Sequence, residues 1–167
     1  MLFQKSMNKK RPMIKIYYED FILHERHRLG PYVITKKAMI DFAKQWDPLP
    51  FHIDARYAKS TSAGSIIASG FHLLAITHKL CIEQRPTAWM IGLGLDEVRF
   101  LAPVRPNDTL ILEAETISKR SSKSRPECGI VTVVFRLFNQ RDEVVLTYRG
   151  SGMVEKRDAL HLTNKTT

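Results

Sequence analysis

Cysteine is nearly missing from this sequence, with only Cys81 and Cys128 among 167 residues. No Cys-x-x-Cys spacing occurs, so zinc-ribbon and dithiol redox chemistry are excluded and no disulfide framework is expected. Long apolar runs are missing as well. The longest, Phe71 to Ile82, is broken by His72, His78 and Lys79 and falls short of the roughly 18 to 20 residues of a membrane helix. The basic start, Met1 to Arg11, lacks the apolar stretch of about 7 to 15 residues that a secretory signal carries. A cytoplasmic location is therefore expected. No internal repeat with a period of about 20 to 50 residues is present, and compositional bias is confined to the serine-rich run around Ser121.

What remains is an ordinary globular composition, 44% hydrophobic and 26% charged, on a chain long enough for one substantial core. The ends are polar and without apolar period. We expect a flexible basic segment over 1–13, one domain over 14–156, and a flexible tail over 157–167. A net charge of +9 and a pI near 9.7 favour an anionic partner: nucleic acid, a membrane surface, or a phosphate-bearing small molecule. The densest cationic cluster, Lys119, Arg120, Lys123 and Arg125, has no interleaved aromatic residues, which argues against a single-stranded nucleic-acid face. We read Lys119 to Pro126 as a solvated, mobile hairpin tip.

Met39, Phe42, Ala43 and Trp46 recur at helical spacing after Thr35, a suitable N-cap. Pro48 and Pro50 stop that helix, and Asp47 to His52 is expected to be a stiff extended loop. A short helix capped by Asp54 follows, from Ala55 to Lys59. Gly70 to Glu83 is apolar around most of its circumference, so this helix must be wrapped by other structure. Four strands are then expected, Ala88 to Phe100, Thr109 to Lys119, Ile130 to Asn139 and Val144 to Glu155, pairing consecutively and antiparallel, with an earlier strand near Glu25 to Val33. The expected class is α+β, a curled antiparallel sheet around a buried central helix.

The candidate chemistry lies in Trp46-Asp47-Pro48-Leu49-Pro50-Phe51-His52, followed by Ala68-Ser69-Gly70-Phe71-His72 at the head of the long helix. A carboxylate and an imidazole on a proline-stiffened segment can be held in fixed relation at low entropic cost, as a general acid/base pair requires. Taken singly, Asp47-Pro48 also reads as an N-cap with proline at the first helical position, and His52 as a half-buried structural histidine. The joint spacing points to the pair. His72 and His78, six apart, fall on different faces and do not fit two metal ligands four apart. Both are read as structural. Trp46 and Trp89 are read as core or tunnel wall, and Asp96 and Glu97 as strand residues.

This segment resembles the MaoC-like dehydratases and R-specific enoyl-CoA hydratases, hotdog-fold proteins whose motif reads Asp-x-Asn-Pro-Leu-His before a glycine-headed helix. Asp47, Pro50 and His52 match it, while Leu49 stands where the family has Asn and Phe51 where it has Leu. The resemblance spans about Tyr18 to Glu155. It implies reversible syn addition of water to a trans-2-enoyl thioester, with Asp47 and His52 catalytic, Ser69 and Gly70 at the oxyanion position, and Trp46, Leu49, Phe51 and Phe71 along the acyl tunnel. The implied partners are an acyl-CoA or acyl carrier protein thioester and a second copy of the chain; no cofactor, metal, nucleic acid or membrane span is implied. A hotdog thioesterase and a non-catalytic acyl-thioester-binding subunit are the alternatives.

Overall fold

The computed structural model describes residues 15–158, so the expected basic segment lies outside the described residues. Thr35 Oγ1 accepts from the Ala38 N–H at 3.2 Å and caps helix α1 (Lys36–Trp46), which buries Met39 and Ala43 on one face. The segment beyond it is not the extended loop expected. Pro50 takes the first position of a one-turn helix, α2 (Pro50–Ile53), where its fixed φ suits the helix and its missing N–H would have had no partner. Asp54 then caps α3 (Ala55–Ser60) through the Arg56 and Tyr57 N–H groups. Ser69 caps the long helix α4 (Gly70–Gln84).

Strands β1 (Arg26–Val33), β2 (Trp89–Phe100), β3 (Thr109–Ser121), β4 (Cys128–Phe138) and β5 (Val144–Glu155) form one antiparallel sheet in the order β1-β3-β4-β5-β2. The expected consecutive pairing holds for β3, β4 and β5 and fails for β2, which pairs with β5 at the far edge. The β2–β3 link, with Pro103 and Pro106, is no hairpin turn. Its Leu101 N–H bonds to Val145 O and its Val104 O accepts from Ala68, so it carries the chain across the end of the sheet.

The sheet curls around α4, which buries Leu73, Ile76, Thr77 and Leu80 against Leu110, Leu112, Leu137, Leu146 and Tyr148. Alternate β3 residues Leu110, Leu112 and Ala114 share the inner face, as a period of two requires. The sheet wraps α4 as expected, leaving Phe71 and Ile82 of the helix exposed. Most of β2 is exposed as well, including Ile91, Leu93 and Leu95.

Two regions expected to be flexible make defined hydrogen bonds among the described residues. Lys119 Nζ donates to the Tyr18 and Phe21 carbonyls at 3.1 and 2.7 Å and lies 4.6 Å from the Tyr18 ring centre. The turn beyond it is closed by Ser122 N–H to Cys128 O and by Arg125 N–H to Ser122 Oγ. Lys119 thus pins an N-terminal arm onto the sheet, while Lys123 to Pro126 of the expected tip stand exposed. At the other end Arg157 donates to Asp20 and, through its backbone, to Glu19, so the fold extends into the segment expected to be a tail.

Candidate active site

Asp47 follows the last residue of α1 and His52 lies in α2, with Leu49 N–H bonded to Asp47 O at 2.8 Å between them. This turn brings His52 Nε2 to 3.4 Å from Asp47 Oδ2. The imidazole is buried, and its Nδ1 lies 2.7 Å from the Ile67 carbonyl. A carbonyl only accepts, so Nδ1 carries a proton and donates it there. In the neutral ring Nε2 therefore presents a lone pair toward the carboxylate. Two acceptors at that separation accommodate a proton between them or a proton-bearing group, such as water, shared by both.

Ser69, expected at the oxyanion position, lies against Asp47. Its buried hydroxyl donates to Asp47 Oδ2 at 2.7 Å and accepts from the Phe71 N–H at 3.2 Å. One side chain thus caps α4 and hydrogen-bonds the Asp47 carboxylate. Gly70 is the first residue of α4, where an N–H has no carbonyl four residues back inside the helix and the helix dipole is positive. A Cβ there would lie 2.5 Å from Phe100 Cζ, so the phenyl ring rests directly on the backbone.

The expected tunnel residues do not line the main cavity. Trp46, Leu49 and Phe71 are exposed, and Phe51 packs edge-to-face on His52 at 4.4 Å and 66°. The cavity, about 670 Å³, lies further along α4 between that helix, β2 and β5, and is lined by His78, Cys81, Trp89, Leu93, Leu95 and Tyr148, among others. Trp89 is thus a wall residue as expected, whereas His78 is exposed at the cavity and not a structural core histidine. His72 does fit the core reading: it is buried and stacks on Phe42 at 4.4 Å, and burial pushes its pKa down. Burial pushes the Cys81 thiol up to about 11, which disfavours the thiolate and with it a nucleophilic role. Among the described residues no group of His, Cys, Asp or Glu is arranged to hold a metal ion.

The family model for the MaoC like domain matches residues 23–136. The chain belongs to the MaoC-like dehydratase family. It is 33% identical to the MaoC-like dehydratase from Rhodospirillum rubrum over 85% of this chain and 98% of that one, with a TM-score of 0.78. The R-hydratase PhaJ1 from Pseudomonas aeruginosa is 26% identical over 86% of this chain and 88% of that one, with a TM-score of 0.72. A shorter stretch, 67 residues covering 40% of this chain and 19% of the other protein, is 44% identical to mesaconyl-CoA hydratase from Cereibacter sphaeroides. The architecture is accordingly the hotdog fold, and the family is one of hydratases and dehydratases.

Sequence reasoning passed over the cavity of this MaoC-like domain. The signal was present in Gly92, Gly94, Gly150 and Gly152, alternate glycines on paired strands that all line it. Glycine inside a strand marks close approach by another group, and at Gly152 that group is the Trp89 ring, 2.6 Å from where a Cβ would stand.

Proposed function

We propose that the protein is an enoyl-thioester hydratase and 3-hydroxyacyl-thioester dehydratase, adding water reversibly and syn to a trans-2-enoyl-CoA or acyl carrier protein thioester. The observation that carries this reading is the convergence of Asp47 Oδ2 and His52 Nε2, 3.4 Å apart, with the imidazole fixed through Nδ1 on Ile67 O. Asp47 takes a proton from a water held by both groups as its oxygen bonds to C3. That same proton passes across the 3.4 Å gap from the Asp47 carboxyl to the Nε2 lone pair of His52 and is delivered from there to C2, so both residues end as they began. Because both groups stand on one side of the substrate, the addition is syn. As C2 takes on carbanion character, charge flows to the thioester oxygen, which the Gly70 N–H at the head of α4 meets. The R-hydratase relative supports a hydration reaction, and mesaconyl-CoA hydratase supports a CoA thioester as the substrate class.

The working unit is proposed to be a homodimer. Support comes from β2, an edge strand with free pairing capacity that exposes Ile91, Leu93 and Leu95 beside the exposed α4 residue Ile82. An open apolar edge of this kind is ordinarily covered, and a second copy would also wall the cavity.

The test is incubation with a short trans-2-enoyl-CoA. Reversible loss of the conjugated absorbance supports hydration. Release of free thiol would point instead to a thioesterase, and tight binding without reaction to an acyl-thioester-binding subunit in which Leu49, at the family's Asn position, has silenced the site.

A further inference from the structure

The outer face of the sheet carries charge that the site at Asp47 and His52 does not use. Leu137, Leu146 and Tyr148 point into the core, so their strand neighbours Arg136, Thr147 and Arg149 point outward, and Arg99, which pairs with Thr147, joins them. Toward β1 the charges on this face alternate and balance, since Arg26 and Arg136 both reach Glu113 and Glu115 at distances between 2.9 and 4.0 Å. Toward β2 the alternation breaks. The register shifts between Asp96 and Arg99, with Glu97 in the left-handed region at a φ of 52°. Beside this bulge lies a cleft of about 280 Å³ whose lining includes Glu97, Arg99, Val134, Arg136, Thr147 and Arg149. Three guanidinium groups thus share the cleft with a single carboxylate.

Each of the three has donors to spare among the described residues. Arg149 meets Glu97 Oε2 at 3.0 Å through Nη2 alone, and Arg136 meets both of its glutamates through Nη1 alone. Arg99 makes no ion pair among the described residues, its Nη1 donating at 3.0 Å to the Val98 carbonyl. Asp96, opposite Arg149 across the strand pair, lies outside the lining. The remaining guanidinium N–H groups are open to an acceptor. Three such forks suit a group with three outward oxygens better than a carboxylate with two, and Thr147, paired with both Arg99 and Arg136, sets a hydroxyl between them. A cleft of this size suits a compact ligand more than a protein surface. We propose that it is a binding site for phosphate monoesters, on the face of the sheet opposite α4 and separate from the catalytic pair, with Arg99 as its principal cation. The site is independent of the hydratase reading and accommodates the anionic partner that a net charge of +9 favours.

Calorimetric titration with inorganic phosphate, AMP and adenosine tests it, at an ionic strength of about 0.1 M where exposed charges more than about 10 Å apart are largely screened. Binding of phosphate and AMP alike marks a site for the phosphate group itself, and binding of AMP alone a site for nucleotide esters; adenosine is expected not to bind. Arg99→Gln should weaken the phosphate-bearing ligand about tenfold, the loss of one charge-assisted hydrogen bond. Arg120→Gln removes the same charge from the far end of β3, seven residues from Glu113 and so roughly 23 Å along the strand, and should leave the affinity unchanged. No binding of either phosphate, adenosine bound as tightly as AMP, unchanged affinity in Arg99→Gln, or an equal loss in Arg120→Gln overturns the proposal. Should Arg99→Gln fail to fold, Arg149→Gln decides in its place by the same criterion. No enoyl thioester is turned over in these titrations, so the hydratase reading stands or fails separately.

Discussion

Replacing Gly70 with alanine separates substrate approach from packing. The new Cβ would stand 2.5, 2.6 and 2.9 Å from three atoms of the Phe100 ring, where carbon contacts settle at about 3.5 to 4.0 Å. The ring must retreat by roughly 1 Å. Phe100 is 53% exposed at the end of an edge strand, so it can swing outward at the loss of about half of a phenyl side chain's burial, on the order of 1 kcal/mol. Alanine's better helix propensity offsets part of this. Stability should therefore fall by about 1 kcal/mol or less. The rate should suffer far more, because a methyl group then covers the N–H that the thioester oxygen must reach, and losing such a donor typically costs about a hundredfold to a thousandfold. Urea melts and kcat/KM on crotonyl-CoA measure the two effects. Gly70→Ala combined with Phe100→Ala removes the clash, but the rate should stay low. If the double variant recovers the parent rate, the defect lay in the displaced ring, and the oxyanion argument for Gly70 is wrong.

Ser69→Ala should cost about 1 to 2 kcal/mol through the lost N-cap and also lower kcat by freeing Asp47, read by denaturation and kinetics; an unchanged kcat would leave Ser69 a cap alone. Asp47→Asn and His52→Ala should each abolish hydration with little further loss in the double variant, since groups acting on one water are non-additive. Only Asp47→Asn should be neutral for stability, because His52→Ala strips the part-buried Ile67 carbonyl of its donor and removes a buried ring, at about 1 to 3 kcal/mol. Gly129→Ala places a Cβ 2.1 Å from the Tyr18 ring and should destabilise by about 1 to 3 kcal/mol, an effect that Tyr18→Ala in the same chain should largely remove. The hydrogen bond from Arg136 holds Glu115 below the ordinary carboxylate range, so its contribution is present above the unfolded pKa of about 4.3 and lost as pH falls through the lower folded value; Glu115→Gln should flatten the acid limb of a stability profile.

Periodicity and capping carried much of the fold. Thr35 and Asp54 are N-caps because their short oxygens reach backbone N–H groups that helices leave unpaired, a rule written in single residues. The Val144–Glu155 strand was equally legible from its β-branched residues and its flanking turn. The place of β2 was not, since pairing across a sheet depends on long-range geometry that no local pattern encodes. At the site, the offset of Asp47 from His52 was readable. That Ser69 would serve Asp47, and that Ile67 would fix the His52 tautomer, depends on how α4 meets α1 and α2. Lys119 shows the opposite error: a cation in a serine-rich run reads as solvated, yet it satisfies two carbonyls of a distant arm.

Hydration of crotonyl-CoA in deuterium oxide, followed by proton NMR for the wild type and for Asp47→Asn, tests most directly whether Asp47 and His52 add water from one face. The account predicts one deuteron at C2 on the same side as the new C3 hydroxyl with the wild type, and no product with Asp47→Asn. Anti addition, or turnover by Asp47→Asn at the parent rate, would contradict it.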